Sequence, residues 1–312
     1  MPLTLAATSS AIPVSQGAGT AAHERDAQKA ARGGPAKSRP RRVLPGFRLS
    51  LGLTLFYLAL IVLLPIAALL LKAADVGLVR YFEIITSPRT FAAFRITFTA
   101  AAIATIFNMI YGLALAWVLV RYSFPGKRLL DALVDVPFAL PTAVAGLALT
   151  ALFAKNGWYG APLASWGIEV AYAPAGIACA MAFTSIPFVV RTVQPVLEDL
   201  EPELEEAAAS LGASDFRIFR SVIFPALFPA FLAGTSLSFA RSLGEFGAVV
   251  FIAGNQPFRT EVVSLLTFIR LEEYDYAAAA AIATTLLIIA FLMLLLVNLI
   301  QAWHQRIAIR EA

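Results

Sequence analysis

Six long stretches of this chain contain no Asp, Glu, Lys or Arg, and no other feature of the sequence restricts its fold as strongly. They are residues 49–71, 96–120, 136–154, 170–190, 221–240 and 276–305. At about 1.5 Å per helical residue, each is about 28 Å long or more, which is close to the ~30 Å hydrocarbon core of a bilayer. Because a backbone in lipid must satisfy its own hydrogen bonds, these stretches are predicted to be helices. The sequence therefore predicts an all-α integral membrane protein with six transmembrane helices.

The composition excludes most classes of soluble protein. Apolar residues make up 59% of the chain and charged residues 14%, against roughly a quarter in an average soluble domain. The single cysteine, Cys179, excludes a disulfide framework and a multi-cysteine metal site. The sequence also lacks a glycine-rich phosphate loop, a serine-hydrolase elbow and an HExxH metal motif. We therefore predict no catalytic residue, no metal site and no cofactor in this chain, and no nucleic-acid partner.

The distribution of Lys and Arg predicts the orientation. If the six stretches cross the membrane, sixteen of the 24 Lys and Arg residues lie on the side of the two termini, seven lie on the other side, and Arg241 lies within a span. Positive residues are enriched in cytoplasmic loops, so both termini are predicted to be cytoplasmic. The predicted organisation is a disordered basic tail (1–41), a first transmembrane helix with an external loop (42–92), a core with five transmembrane helices (93–305) and a short cytoplasmic tail (306–312).

The predicted cytoplasmic loop at residues 191–220 is acidic, although loops beside anionic lipid are normally basic. It contains seven acidic side chains and three arginines. Its apolar residues recur at helical spacing, which predicts an amphipathic helix with an acidic outer face. These residues are Val193, Leu197, Leu200, Leu204, Ala208 and Leu211. Gly212 is expected to end this helix and Ser214 to cap the next one. From the pattern alone, a solvated helix without a partner is an equally good interpretation.

A motif in this loop resembles a known family. Glu206, Ala207, Ala208, Gly212 and Pro225 are spaced as in the E-A-A-x3-G-x9-I-x-L-P motif of permease subunits of ATP-binding-cassette (ABC) importers. The chain departs from that motif by Val for Ile and Phe for Leu just before the proline. The resemblance implies a type I ABC importer permease fold. It also implies that the segment is a cytoplasmic coupling helix, whose five motif residues dock on a separate ATPase subunit.

Two charged residues lie inside the fifth predicted span. Arg241 and Glu245 are four residues apart and so share one face of a helix, with Gly244 and Gly247 beside them. A charge within a membrane span is expensive and usually faces a bundle interior or a water path. One interpretation is that these four residues line a translocation path, with Arg241 donating to an anion. The alternative, held at equal weight, is an ion pair whose two members neutralise each other.

The residues around this pair carry a second resemblance. Residues 238–248, Ser-Phe-Ala-Arg-Ser-Leu-Gly-Glu-Phe-Gly-Ala, are similar to a motif of the sulfate, molybdate and related oxyanion permeases. Residues 131–147, 183–191 and 260–265 resemble the T subunits of bacterial sulfate/thiosulfate importers. The resemblance implies an inner-membrane complex with a second, W-type permease chain, two ATPase subunits that hold ATP and Mg²⁺, and a periplasmic binding protein that delivers sulfate or thiosulfate.

Three alternatives stay open at this point. The first is a molybdate or other oxyanion permease, which shares the Gly-Glu-Phe-Gly string and usually forms a homodimer. The second is a secondary transporter or channel that needs no ATPase, although the motif in the acidic loop speaks against it. The third is a membrane scaffold without transport activity, which would leave the intramembrane pair of Arg241 and Glu245 without a purpose.

Overall fold

The structure is a computed structural model that describes residues 47–311, without the side chains of residue 48 and residues 302–311. The predicted basic tail at 1–41 lies outside the described residues, as do the side chains of the predicted C-terminal tail. The described part of the chain is helical and contains no strand. Two compact units divide after Ile61, and the described part of the first unit consists of one helix and the start of a π-helical segment.

The described residues form fifteen α-helices, numbered α1 to α15 in chain order. Their bounds are Phe47–Leu58, Leu64–Ala74, Leu78–Thr86, Pro88–Arg121, Lys127–Val134, Val136–Ala139, Thr142–Phe153, Gly160–Ser165, Pro174–Glu198, Pro202–Ser210, Asp215–Ile218, Phe224–Leu243, Gly247–Ile252, Val263–Glu272 and Tyr276–Glu311. The π-helical segments Ala59–Leu63 and Phe219–Ile223 join α1 to α2 and α11 to α12 without a break.

Five helices of the described chain are long and apolar enough to cross a membrane. They are Leu49–Ala74, Pro88–Arg121, Pro174–Glu198, Asp215–Leu243 and Tyr276–Gln301. Each contains most of one predicted stretch, so the helical interpretation of these five stretches is confirmed. The agreement follows from the absence of charge over a length that only a helix can carry through lipid.

The stretch at 136–154 differs from the single helix that the sequence predicts. It forms the short helices α6 and α7, separated by Leu140 and Pro141, which both have extended backbone angles. Proline lacks an N–H group and disfavours the helical conformation in the residue before it, so Pro141 accounts for the break. At about 1.5 Å per residue, α7 is about 18 Å long, which is shorter than a hydrocarbon core.

The acidic loop also differs from its prediction. Val193 and Leu197 were expected on the acidic helix, but they belong to α9 and are buried. The chain leaves α9 at Asp199 and begins α10 at Pro202, where a proline at the first helical position removes an N–H that would have no helical partner. The predicted amphipathic helix is therefore two helices.

The centre of the second unit is built on α9, which packs against α4 and α12, and these two helices also pack against each other. The buried face of α4 consists largely of small residues, among them Ala93, Ala100, Ala104 and Gly112. A Cβ atom at Gly112 would lie 2.9 Å from Cβ of Val189 on α9, which shows how closely the two helices approach. Small residues at such contacts allow close packing between helices in a membrane.

Candidate functional site

The acidic helix α10 is held to the rest of the protein by an ion pair. Glu205, in its first turn, pairs with Arg121, the last residue of α4. The Arg121 guanidinium also lies 5.2 Å from the ring centroid of Trp117, one turn earlier on α4. Glu203 and Glu205 favourably oppose the positive end of the α10 dipole. These contacts place α10 beside the end of the long membrane-spanning helix α4.

The turn after α10 takes the form that the sequence predicts. Gly212 has a φ angle of +82°, the left-handed conformation that favours glycine. The N–H groups of Gly212 and Ala213 donate to the carbonyl oxygens of Ala209 and Ala208, at 2.9 and 3.1 Å. Ser214 precedes α11 with extended backbone angles, as a cap residue does, but its side chain makes no capping hydrogen bond. The positive φ of Gly212 therefore aims α11 back toward the membrane-spanning helix α12.

The surface of this segment is partly apolar. The motif residues Glu206, Ala207, Gly212 and Pro225 are exposed, and Ala208 is half-buried. The apolar residues of the predicted amphipathic helix were expected opposite its acidic outer face, but Leu204 and Leu211 are exposed by 50% and 90%, and Phe216 on α11 by 72%. An exposed apolar patch with polar residues around it is typical of a protein interaction surface. We define this surface, residues 202–216, as the acidic elbow.

The intramembrane ion pair lies at the end of α12. Nη1 of Arg241 is 2.5 Å from Oε2 of Glu245, whose side chain is 1% exposed. The other carboxylate oxygen of Glu245 accepts a hydrogen bond of 2.9 Å from the backbone N–H of Ala248, in the first turn of α13. The Ser264 hydroxyl donates to the backbone carbonyl of Glu245 at 2.9 Å. Glu245 thus joins the ends of three helices, α12, α13 and α14.

The two glycines beside the pair have different surroundings. Gly244 is exposed, and a Cβ atom built on it would have its nearest neighbours at 4.0 Å. A Cβ atom on Gly247 would overlap Oγ1 of Thr142 and lie 2.9 Å from its Cβ, at the start of α7. The contact is reciprocal, because a Cβ atom on Gly146 of α7 would lie 2.5 Å from the backbone oxygen of Ala248. The close approach of α7 and α13 therefore requires Gly247 and Gly146 but not Gly244.

A cavity with a volume of about 920 Å³ lies beside α4, α7 and α9. Its walls are mainly apolar, and its only charged lining residues are Arg95 on α4 and Arg259 in the loop between α13 and α14. Arg241, Gly244, Glu245 and Gly247 do not line it. Gly244 lines a smaller groove of about 630 Å³ beside α2, α14 and α15.

Sequence reasoning missed a buried polar cluster between α4, α9 and α12. Asn108 is fully buried, and its Nδ2 atom is within hydrogen-bond distance of the Ser185 and Ser238 hydroxyls and of the Ala182 carbonyl, at 2.8 to 3.1 Å. The Ser185 hydroxyl also lies 3.1 Å from that of Ser242. The signal in the sequence was a lone Asn inside a charge-free stretch, since polar groups there need partners.

It also missed the ion pairs of two arginines, which join distant parts of the chain. Arg191 on α9 donates from Nη1 to Asp131 at 2.6 Å and from Nη2 and Nε to Asp135 at 2.7 and 2.8 Å. Arg89 on α4 donates from Nη2 and Nε to the buried Glu261 at 2.7 and 2.9 Å. Each arginine fixes a neighbouring segment to a membrane-spanning helix, and its contact with Asp135 or Glu261 is forked. The partners are 56 or more residues apart, so local patterns do not reveal them.

Among the side chains that the structure describes, no three His, Cys, Asp or Glu residues come together in a way that could hold a metal ion.

Outside the spans, the Lys155 ammonium, 2.8 Å from Glu169, lowers the pKa of that exposed carboxyl by a hydrogen bond and by its charge. The surfaces described above leave two candidates for function. They are the acidic elbow, with its partly apolar surface, and the cavity with its two arginines.

Comparison with known proteins agrees with both resemblances. The family described as "binding-protein-dependent transport system inner membrane component" matches residues 108–309. The "sulfate transport system permease protein CysT" of Salmonella typhimurium and that of Escherichia coli are each 57% identical to this chain over 262 residues, which are 84% of this chain and 95% of the relative. The protein of the same name from Synechocystis is 50% identical over 255 residues, 82% of this chain and 89% of the relative.

Solved structures agree on the fold. A chain of a bacterial ABC transporter involved in the import of the acidic polysaccharide alginate matches with a TM-score of 0.68 at 16% identity, over 82% of this chain and 96% of that one. A chain of the methionine ABC transporter MetNI in an inward-facing conformation matches with a TM-score of 0.53 at 16% identity, over 67% and 93%. At these identities, the likeness shows the fold alone, which is that of an ABC importer permease.

Proposed function

Because this chain belongs to the family of inner membrane components of binding-protein-dependent transport systems, we propose that it is the membrane-spanning permease subunit of an ATP-driven sulfate importer. The observation that carries the proposal is the 57% identity to sulfate permeases over 95% of their length. We extend the proposal to thiosulfate as a second substrate, on the resemblance of residues 131–147, 183–191 and 260–265 to sulfate/thiosulfate importers. The chain is not itself an enzyme in this proposal, because ATP and Mg²⁺ are held by a partner ATPase.

The acidic elbow is our candidate for the contact with that ATPase. Its exposed leucines and Phe216 offer apolar area to a partner, and Glu206 offers a charge that no ion pair in the described chain neutralises. The tether between Glu205 and Arg121 would pass a displacement of the elbow directly to α4. Movement of the ATPase would thereby shift a membrane-spanning helix, which is the kind of rigid-body step that alternating access requires.

The complete importer, in this proposal, contains a second, W-type permease chain, two copies of the ATPase and a periplasmic binding protein for the anion. Both termini and the acidic elbow lie in the cytoplasm of a bacterial cell, and the helices cross the inner membrane. The anion passes between the two permease chains while the ATPase pair closes. Selectivity resides mainly in the binding protein, because the spans of this chain carry few polar groups that could enclose a dianion.

For Arg241, Gly244, Glu245 and Gly247 we propose a positioning role beside the translocation path. The supporting observations are the ion pair between Arg241 and Glu245, the hydrogen bond that Glu245 accepts from Ala248, and the close contact between Gly247 and Thr142. In this role, the four residues fix α13 against α7 and α14. The fixed helices in turn form part of the wall that the anion passes.

Uptake of radiolabelled sulfate tests the proposed function. Cells that lack this chain but retain its partners should take up sulfate only when the chain is supplied. Unlabelled thiosulfate should compete with the label, and molybdate and tungstate should compete weakly. The tagged chain should co-purify with an ATPase. Strong competition by molybdate alone would favour the molybdate permease, whereas sulfate uptake without a bound ATPase would favour a secondary transporter.

A further inference from the structure

The cavity beside α4, α7 and α9 combines apolar walls with an unusual pair of charges. Arg95 and Arg259 are its only charged lining residues, and both are exposed to the solvent or cavity space. No carboxylate lines the cavity. The region around it is therefore positive, with low-polarity walls that strengthen the attraction of an anion.

Arg95 and Arg259 differ from three other basic residues at this end of the protein. In the described part of the chain, Arg89, Lys155 and Arg270 each form an ion pair, whereas Arg95 and Arg259 form none. The carboxylate within electrostatic reach of Arg259 is Glu169, which Lys155 already binds at 2.8 Å. The positive charge of the cavity thus has no counter-charge in its walls.

The loop that carries Arg259 is fixed to the helix that carries Arg95. Glu261, two residues after Arg259, is held by Arg89 on α4. The N–H of Val263 donates a bond of 2.9 Å to the hydroxyl of Thr97 on the same helix. Arg89 and Thr97 lie on either side of Arg95 along α4, so the loop is attached to α4 both before and after that residue.

From this geometry we propose that Arg95 and Arg259 form an anion-receiving site that takes the tetrahedral oxyanion at the mouth of the cavity. A guanidinium presents two parallel N–H groups to two oxygens of such an anion, and two guanidiniums match its double negative charge. The site consists of two exposed side chains, so it receives the anion and releases it again without enclosing it. The inference rests on the proposed function, since it names where this permease meets the anion.

This site and the acidic elbow lie at opposite ends of α4. Arg95 lies about 39 Å from Arg121 along the helix, at about 1.5 Å per residue. Arg121 is occupied by Glu205 and stacked beside Trp117, so it offers no free guanidinium to an anion. The anion site therefore lies at the end where a periplasmic partner would deliver its cargo.

The test measures sulfate uptake by cells in which all partner subunits are present. The variants are Arg95→Gln, Arg259→Gln and both together, and the matched control is Arg80→Gln, an exposed arginine without an ion pair that does not line the cavity. We expect each single variant to lower the maximal uptake rate by about tenfold, the loss typical of one charge-assisted hydrogen bond, at equal amounts of chain in the membrane. The sulfate concentration for half-maximal uptake should not change, because the affinity of the binding protein for sulfate sets it. Arg80→Gln should transport as the unaltered chain does.

Restoring the charge chemically separates an electrostatic role from a structural one. Arg95→Cys is made in a Cys179→Ser parent, and its uptake is measured relative to that parent after treatment with a trimethylammonium or a sulfonate methanethiosulfonate reagent. We expect the cationic reagent to raise uptake and the anionic reagent to lower it. Equal effects of the two reagents, or unaltered uptake by the double glutamine variant, would overturn the anion site alone. Failure of the unaltered chain to restore sulfate uptake would overturn the proposed function, and the site with it.

Discussion

Glu245 shows how one buried carboxylate connects several elements. Its side chain is 1% exposed, and it pairs with Arg241 while it accepts the N–H of Ala248. Replacing Arg241 by Gln leaves this carboxylate without a counter-charge, which we expect to lower the free energy of unfolding by about 3 kcal/mol. The double variant Arg241→Gln, Glu245→Gln should regain most of this stability, because the uncompensated charge is gone and the Gln oxygen can still accept from Ala248.

Thermal denaturation of the detergent-purified complex, measured together with sulfate uptake, checks this expectation. The positioning role predicts that stability and uptake recover together in the double variant. If stability recovers while uptake stays as low as in Arg241→Gln, then Arg241 contributes to transport directly, and the path interpretation of the pair is the better one.

The glycines of α7 and α13 give a second expectation for single residues. A Cβ atom at position 146 would lie 2.5 Å from the oxygen and 2.7 Å from the Cα of Ala248, and a backbone cannot yield as a side-chain end can. We expect Gly146→Ala to lower the free energy of unfolding by about 1–3 kcal/mol, as overpacking usually does. Gly244→Ala is the matched control, because its Cβ atom meets nothing nearer than 4.0 Å. Equal denaturation temperatures for the two variants would contradict this packing.

The acidic elbow depends on the conformation of one residue. A Cβ atom at Gly212 would meet nothing within 4 Å, so the φ angle of +82° is the reason for glycine there. The left-handed conformation costs an L residue about 1–2 kcal/mol, and Asn tolerates it better than Ala or Val. Co-purified ATPase and sulfate uptake should therefore decrease in the order Gly, Asn, Ala, Val. The Ala variant should show about tenfold weaker ATPase binding.

Two results of the same series of Gly212 variants would contradict this expectation. If Asn were as harmful as Val, a side chain at this position would itself block the contact, and the conformational argument would fail. If all three variants bound the ATPase as Gly212 does, the elbow would not be the docking element. Membrane insertion, measured by the amount of chain in the membrane, is expected to be equal in all four proteins.

The elements differ in how well their local sequence predicts them. The five long helices and the turn at Gly212 follow from local rules: an uncharged stretch must be helical in lipid, and a glycine after helical spacing ends a helix. The break at Pro141 was within reach of the same rules, because a proline inside a stretch interrupts helical bonding. The start of α10 was also within reach, because Pro202 is typical of a first helical position, but the continuous helical spacing from Val193 to Leu211 hides the end of α9. Burial of Val193 depends on α4 and α12, which no local pattern specifies.

At the scale of the whole second unit, different interactions hold the ends and the middle of the bundle. Near Arg121, the ion pairs of Arg121 with Glu205 and of Arg191 with Asp131 and Asp135 join membrane-spanning helices to the segments at one end. About 48 Å away along α4, the pair of Arg89 and Glu261 does the same at the other end. Between them, contacts of small residues and the hydrogen bonds of Asn108 replace ion pairs, as expected where water is absent. The arginines of these ion pairs therefore lie at the two ends of the bundle. Labelling at each end can test the orientation of the protein in the membrane.

The orientation gives a prediction for the whole molecule. In a Cys179→Ser parent, single cysteines are placed at Ser210 on the acidic elbow and at Ser165 in α8, which are both exposed and lie toward opposite ends of the bundle. An impermeant maleimide should label Ser165→Cys in intact cells and should label Ser210→Cys only after the membrane is opened. The physical reason is the excess of Lys and Arg on the side of the elbow, which holds that side in the cytoplasm. Labelling of Ser210→Cys in intact cells would place the elbow outside the cell, where no ATP-hydrolysing partner could reach it, and would contradict the coupling role of Glu206 and Gly212 directly.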